Sequence, residues 1–372
     1  MKCCYRCFKH PWLKGLIHST SRELGECKFC GSMSAALVDI NVLYDAFENL
    51  LSIYTPLSAG DVIYPWEDPF DAGDNLVTLI QEDWDLFSEA LSDERASDLI
   101  IAIQRSGWEK DSGEDLIDAG DLYTRRSSIY HTPPAEVWEE FCEEVKENPD
   151  LEPTFHEYVD QELCRAEVIL RQGTILYRTR SGFECEDRIK RPYRGESIGA
   201  PPLEKVKSGQ IEIRAGRLNR AGRVLFYCAD REETAVSEMR PWRGLRLSVG
   251  TFRVLRDLRI VDLSRPLKKP NPFVATPLRY ELEITHLLNS FASDLSMPLE
   301  RGNDETGYIP CQKLSGIIQE ACFDGVRYSS AMAPTGTNIA LYDPSTVEEI
   351  SSKLVRVTDV EIKYEDAHYE DC

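Results

Sequence analysis

The chain has 372 residues, 42% of them hydrophobic and 9% aromatic, and a formal net charge of −21. That is the composition of a globular protein too long for one core to organise, so two or three domains are expected. No run approaches the roughly 20 apolar residues that a membrane helix needs, and no apolar core follows the basic residues of MKCCYRCFKHPWLKG. Neither a membrane span nor a signal peptide is expected, and the cytosol is the expected compartment.

The charge is uneven. Residues 1–35 hold six Lys/Arg against two Asp/Glu, residues 36–170 seven against 33, and residues 171–372 thirty against 29. The acidic middle would repel a phosphate backbone, which argues against nucleic acid as the main partner. The nearly neutral, Arg-rich remainder admits anionic ligands.

In chain order, two cysteine pairs come first. Cys4-x2-Cys7 and Cys27-x2-Cys30 lie 19 residues apart, the spacing at which two tight turns present four sulfurs to one tetrahedral zinc ion. Four thiolates leave no open coordination position, so the expected Zn2+ is structural. Cys3, beside Cys4, leaves open which of the two sulfurs binds. Six further cysteines (Cys142, Cys164, Cys185, Cys228, Cys311 and Cys322) sit in helical or strand-like text and read as reduced thiols.

Residues 35 to about 168 read as helical. ALVDINVLYDAFENLLSIY, DNLVTLIQEDWDLFSEAL and AEVWEEFCEEVK place apolar residues at helical spacing, with turn-like breaks between them, and DLEPTFHEYVDQELCRAEVIL reads as a linking helix. From Gly173 the pattern changes. TILYRTRS, RVLFYCA, RLSVGTFRV, DLRIVDLS, VRYSS, NIALYD and KLVRVTDVEIKYED read as strands. REETAVSEMRP reads as a short helix stopped by Pro241, and TPLRYELEITHLLNSFASDL and CQKLSGIIQEAC read as helices. This order predicts an α+β fold with a curved mixed sheet, divided into a zinc-binding module (1–34), a helical domain (35–168) and a mixed α+β domain (170–366).

Three segments of the last part carry polar residues where folding alone does not call for them. Arg178 interrupts the strand LYRTRS. The stretch GRLNRAGRVLFYCADREETAVSEMRP holds Arg217, Asn219, Gly222, Tyr227, Glu233 and Glu238. DGVRYSSAMAPTGTNIALYD holds Ser329, Ser330, Gly336 and Asn338 between two strands. Each also has an ordinary reading. Arg178 could pair with a surface Glu, Asn219 and Gly222 suit a hairpin turn, and Glu238 could pair with Arg240 or Arg243.

Together, LYRTR, IGAPP (198–202), GRLNRAG, LFYCA, ETAVSEMRP, DGVRYSS and TGTNIALYD resemble, in order and surroundings, the RES family over roughly residues 170–345. The resemblance implies an ADP-ribosyltransferase-like fold that degrades NAD+ as substrate, usually as a toxin restrained by an antitoxin or regulatory protein. It points to Arg178, Arg217, Tyr227, Glu238 and Ser330 as active-site residues. Ser329 stands where proline is commoner in the family. Cleavage of the nicotinamide–ribose bond passes through an oxocarbenium-like state that a carboxylate stabilises, the role expected of Glu238. Guanidinium forks at Arg178 and Arg217 suit the pyrophosphate. Tyr227 would stack on or hydrogen-bond near the nicotinamide ribose, and Asn219, Ser329, Ser330 and Asn338 would contact substrate. Nicotinamide is a good cationic leaving group, so no catalytic metal is expected.

The N-terminal half, on C-x2-CF, CKFCG and LVDINVLYDAFENLLSIY, is similar to the HEPN/RES N-terminal domain found ahead of RES domains. That implies a regulatory role or a homo-oligomer formed through the helices. NAD+ glycohydrolase or phosphorylase activity is the expectation. Protein ADP-ribosyltransferase activity is the alternative, followed by a HEPN-type ribonuclease using Arg126 and His131, and by a zinc-held interaction module.

Overall fold

The structure, a computed structural model, describes residues 1–57, 73–108, 122–125, 137–149, 163–274, 277–297, 305–333 and 335–361. Its helices and strands are mixed, as the α+β expectation has it. Among the described residues no helix is long and apolar enough to cross a membrane. The chain divides into two compact units, one of Met1–Val137 with Lys269–Thr285 and one of Trp138–Lys268 with His286–Cys372.

The first unit opens with β1 (Lys2–Cys4), α1 (Pro11–Thr20), β2 (Glu23–Gly25) and β3 (Ala35–Asp39). Strand β3 lies between the other two in an antiparallel three-stranded sheet. α2 (Asn41–Leu51), β4 (Tyr54–Pro56), α3 (Leu76–Trp84), α4 (Asp93–Trp108) and β5 (Tyr123–Arg125) follow. α2 buries Leu43, Ala46, Phe47 and Leu50, the i, i+3, i+4, i+7 stripe of an amphipathic helix. Phe8 packs between Phe47 and Phe87, with ring centroids 6.0 and 6.3 Å away.

Two readings of this half change. Ala35–Asp39, expected to be helical, is a strand, because the hairpin carrying the cysteines offers β1 and β2 as two edges and pairing with both overrides local helical spacing. The helix through DNLVTLIQEDWDLFSEAL stops at Asp85, whose left-handed backbone (φ 44°) caps it after Trp84.

The second unit continues from α5 (Val137–Glu147), whose Val137 belongs to the first, into a strand, β6 (Glu167–Leu170), where a helix was expected. β6 is taken up as an edge by antiparallel pairing with β12 (Leu258–Leu263). Its other elements are β7 (Ile175–Ser181), β8 (Glu184–Glu186), β9 (Ile189–Arg191), α6 (Leu203–Lys207), β10 (Phe226–Ala229), α7 (Glu232–Ser237) and β11 (Arg246–Val254). After β12 come α8 (Leu278–Ser296, its first residues in the first unit), α9 (Ile309–Glu320), β13 (Gly325–Ser329), β14 (Thr337–Leu341) and β15 (Val347–Arg356).

Eight strands form one sheet in the order β15-β11-β7-β10-β14-β13-β12-β6. All neighbours are antiparallel except β12 and β13, so this is no doubly wound sheet. Phe226, Phe252, Ile339, Leu341 and Leu176 pack in a core on one face of it.

One irregularity of this sheet builds the site. β7 pairs with β11 along its whole length, from Ile175↔Arg253 to Ser181↔Leu247. It meets β10 only at Tyr177↔Ala229. Past that point the two strands part, leaving a gap inside an otherwise continuous sheet.

Phe226, the first residue of β10, is fully buried, edge-on to Phe252 at 4.8 Å and beneath the Arg178 guanidinium at 5.2 Å. Phe226→Ala is expected to lower unfolding free energy by about 3–5 kcal/mol, measured by denaturant titration. A loss under about 1 kcal/mol would show that this ring does not anchor the packing beneath Arg178.

Candidate active site

The gap between β7 and β10 holds a cavity of about 370 Å³. Residues Tyr177–Ser181 line it from β7 and Tyr227–Ala229 from β10, with Ala235, Glu238 and Met239 at α7 and Tyr328 and Asn338 beyond.

Glu238 follows the last turn of α7. Its N–H closes the helix on the Thr234 carbonyl at 3.0 Å, and Arg240, in the left-handed region (φ 44°) ahead of Pro241, ends the helical path. Its Oε1 accepts two hydrogen bonds, from Ser330 Oγ at 2.6 Å and from Asn338 Nδ2 at 2.7 Å. Ser330 Oγ in turn accepts from the N–H groups of Met332 (3.2 Å) and Ala333 (3.0 Å). Among the described residues Glu238 makes no ion pair, so Arg240 and Arg243 do not neutralise it. Three chain segments thus converge on one carboxylate that neutral donors alone hold.

Gly336 lets them converge. A Cβ built there would lie 1.9 Å from Thr234 Oγ1 and 2.8 Å from its Cβ, so the loop after Ser330 meets buried Thr234 of α7 only because residue 336 has no side chain. Asp230 pins the same loop, with its Oδ1 accepting from Thr337 N–H at 2.9 Å.

Tyr227 lines the cavity, but its hydroxyl is committed elsewhere. It donates to Asn219 Oδ1 at 2.9 Å and accepts from Leu218 N–H at 3.2 Å. Burial pushes the phenol up to about 12. Asn219 Nδ2 also donates to the Arg214 and Arg220 carbonyls, so buried Asn219 ties the GRLNRAG turn together and does not line the cavity. Arg217, in the same turn, donates to the Leu295 carbonyl and does not line the cavity either. Ser329 Oγ donates to the Ser264 carbonyl at 3.0 Å, so of the two adjacent serines it is Ser330 that touches Glu238.

Arg178 does line the cavity. It donates to the Tyr227 carbonyl across the open ladder, while its Nε is shut off from solvent with no partner. Burial, and after it the charge of Arg180, holds its guanidinium down at about 10, below the ordinary arginine range. Arg180, Tyr328 and Met239, absent from the residues inferred above, also line the cavity. For Arg180 the signal was present in the text. In LYRTR the two arginines stand at i and i+2, which puts both on one face of a strand.

At the other end of the chain, Cys4, Cys7, Cys27 and Cys30 come together with all four Sγ atoms within 4.8 Å of one another. Cys4 Sγ lies 3.4 Å from Cys30 Sγ, and Cys7 Sγ 3.5 Å from Cys27 Sγ. Cys3 is buried outside the set, so Cys4 is the sulfur that joins it. Neighbouring sulfurs and burial push the Cys4 thiol up to about 12 and that of Cys7 higher, whereas Cys27 is held low by the hydrogen bonds it accepts. Such crowding favours one thiolate among thiols unless a cation joins them. Arg126 and His131, the candidate ribonuclease pair, lie outside the described residues.

A family model described as the RES domain matches residues 176–363, just over half of the chain and all of the cavity's lining. The chain belongs to the RES domain family. Among solved structures this RES protein is similar to a chain of the M.tuberculosis MbcT–MbcA toxin–antitoxin complex, at 17% identity and a TM-score of 0.28, over 54% of this chain and 93% of that one. Among curated proteins none matches it significantly.

If Gly336 sets the approach of its loop to α7, Gly336→Ala should part Ser330 and Asn338 from Glu238. The expected cost is roughly 1–3 kcal/mol of stability, read in thermal unfolding. A variant as stable as the parent would refute the fit described here.

Proposed function

We propose that this RES protein is an NAD+-consuming toxin that cleaves the nicotinamide–ribose bond, as an NAD+ glycohydrolase or phosphorylase. One observation carries the reading. Among the described residues, the cavity's carboxylate, Glu238, has no ion-paired cation, and the guanidiniums on β7 have no ion-paired carboxylate. A ligand carrying both charges supplies the missing partners, and NAD+ joins a cationic nicotinamide to an anionic diphosphate.

The chemistry follows from the same groups. The C1′–N bond breaks, and its electron pair leaves with the nicotinamide nitrogen, neutralising the ring. The positive charge passes to the ribose as an oxocarbenium-like centre, which Glu238 stabilises. A water or phosphate oxygen then adds to C1′, and in the case of water one proton is released. Ser330 and Asn338 hold Glu238 by one oxygen and leave the other to the ribose. Tyr227, with its hydroxyl tied to Asn219, offers its ring face as a wall. Arg217 acts in this reading through the turn it anchors.

The functional division that accompanies this reading is a zinc module (1–34), a helical domain (35–168) that regulates or oligomerises, and the catalytic domain (170–366), with an antitoxin or regulatory protein as partner. We assign the four-cysteine cluster to a structural Zn2+. Zinc–sulfur bonds of about 2.3 Å place tetrahedral sulfurs about 3.8 Å apart, and the observed sulfurs, within 4.8 Å of one another, can adopt that spacing with small shifts.

Purified protein incubated with NAD+, with and without phosphate, should release nicotinamide. Folded, inhibitor-free protein that releases none in either condition would sink the proposal. Glu238→Gln keeps an acceptor for Ser330 and Asn338 and removes only the charge. It should therefore unfold like the parent yet lose about 100-fold or more in turnover; unchanged turnover would take Glu238 out of the reaction.

Metal analysis should find one zinc per chain, and Cys7→Ser should lose both the zinc and thermal stability. Metal-free protein whose melting temperature chelator leaves unmoved would refute the assignment.

A further inference from the structure

Several arginines of the second unit are paired with carboxylates: Arg253 binds Glu348, Arg256 binds Asp324, Arg259 binds Glu167 and Arg327 binds Asp262, each within 3.1 Å. Arg178 and Arg180 are placed differently. Among the described residues neither forms an ion pair, although they neighbour one another on one face of β7, line one cavity, and each hold an Nε that is closed to solvent and lacks a hydrogen-bond partner. Two like charges desolvated side by side are costly unless an anion joins them.

We infer that Arg180 is the second guanidinium of a diphosphate clamp, which with Arg178 holds both phosphates of a dinucleotide and sets the preference for a diphosphate over a monophosphate ligand. The inference rests on the NAD+ reading for its substrate, but the clamp itself rests on the cavity. A single phosphate satisfies one fork well and leaves the other guanidinium uncompensated, whereas a diphosphate offers charge to both.

Arg180 is aimed by the segment that carries IGAPP. Its Nη2 donates to the Gly199 carbonyl at 3.3 Å, which leaves the rest of the fork for a ligand. That segment reaches the sheet over Gly250, where a Cβ would lie 2.7 Å from Ile198 Cγ1. Gly250 stands directly across the ladder from Arg178, so one bare position in β11 seats the segment that orients the second arginine. Arg180 in turn depresses Arg178, after burial, which fits two guanidiniums that share a field no protein carboxylate offsets. Arg180 is thus a binding and positioning residue, and Glu238 keeps the chemistry.

The test uses the full chain and two readouts, with Arg180→Ala, Arg180→Gln and Arg180→Lys, each checked for a native unfolding transition, and Arg171→Ala as a control for charge outside the cavity. Calorimetric titration with inorganic pyrophosphate should show binding that weakens about tenfold in Arg180→Ala and Arg180→Gln, and less in Arg180→Lys, which keeps charge but not the fork. Steady-state cleavage of NAD+ should show the loss chiefly in KM, and the preference for NAD+ over nicotinamide mononucleotide should shrink by a similar factor. Arg171→Ala should match the parent throughout. If the parent cleaves NAD+ while the Arg180 variants keep parental pyrophosphate affinity and KM, the clamp is overturned and the NAD+ reading stands. If the parent leaves NAD+ intact but pyrophosphate binding still depends on Arg180, the clamp stands and its substrate is another diphosphate. Parental pyrophosphate binding that is absent altogether overturns the clamp.

Discussion

A β-ladder that ran on past Tyr177↔Ala229 would consume the backbone hydrogen-bonding groups of β7 and β10 and leave no room between them. Instead the ladder stops, and the facing edges of β7 and β10 must be satisfied by something other than each other's backbone. Arg178 does part of this, reaching across to the Tyr227 carbonyl. The same residue therefore serves as a structural brace and as one wall of the cavity. The rest of the site follows from this opening, since the end of α7 places Glu238 and β14 places Asn338 around a space that the sheet has left, with Ser330, just after β13, holding Glu238.

Charge decides what such a space can hold. Glu238 is stabilised by a hydroxyl and an amide, donors that fix its position without cancelling its charge. A salt bridge in that place would have been a more ordinary solution and would have cancelled the charge that Glu238 carries. The guanidiniums of β7 are in the converse condition. Arg178 and Arg180 have their Nε groups closed to solvent, where charge interactions are strong, while Glu238 is held by neutral partners and stays exposed.

The parts of this arrangement legible in the sequence were those with a local cause. The seven strand readings of the second half and its helices reflect period-two and period-3.6 patterning, and they reappear with shifted ends. The cysteine spacing brought Cys4, Cys7, Cys27 and Cys30 together, though only the structure separated Cys4 from Cys3. What the text could not carry was non-local. Ala35–Asp39 and Glu167–Leu170 became strands because partners far along the chain offered edges to them. Gly336 reads as one more loop glycine until Thr234 is found against it. Asn219 and Tyr227 both read as polar residues available to a ligand, but they satisfy each other.

That last pair suggests a general way of dividing a site. A polar group whose donors and acceptors are already matched within the protein shapes the cavity, because taking it away from its partner to meet a ligand costs about as much as the new bond returns. A group with unmatched capacity gains on binding. By this measure Tyr227 frames the cavity, Asn219 and Ser330 fix Tyr227 and Glu238 in place, and Ser329 takes no part. Glu238 has its second oxygen to offer, and Arg178 and Arg180 have their unpartnered Nε groups. The framing bonds are all made before any ligand arrives, so little ordering is left to oppose binding. A site so preorganised gains specificity from a few unmatched charges, and their placement, two guanidiniums on one strand and a carboxylate at the end of a short helix, is what an extended zwitterion would find complementary.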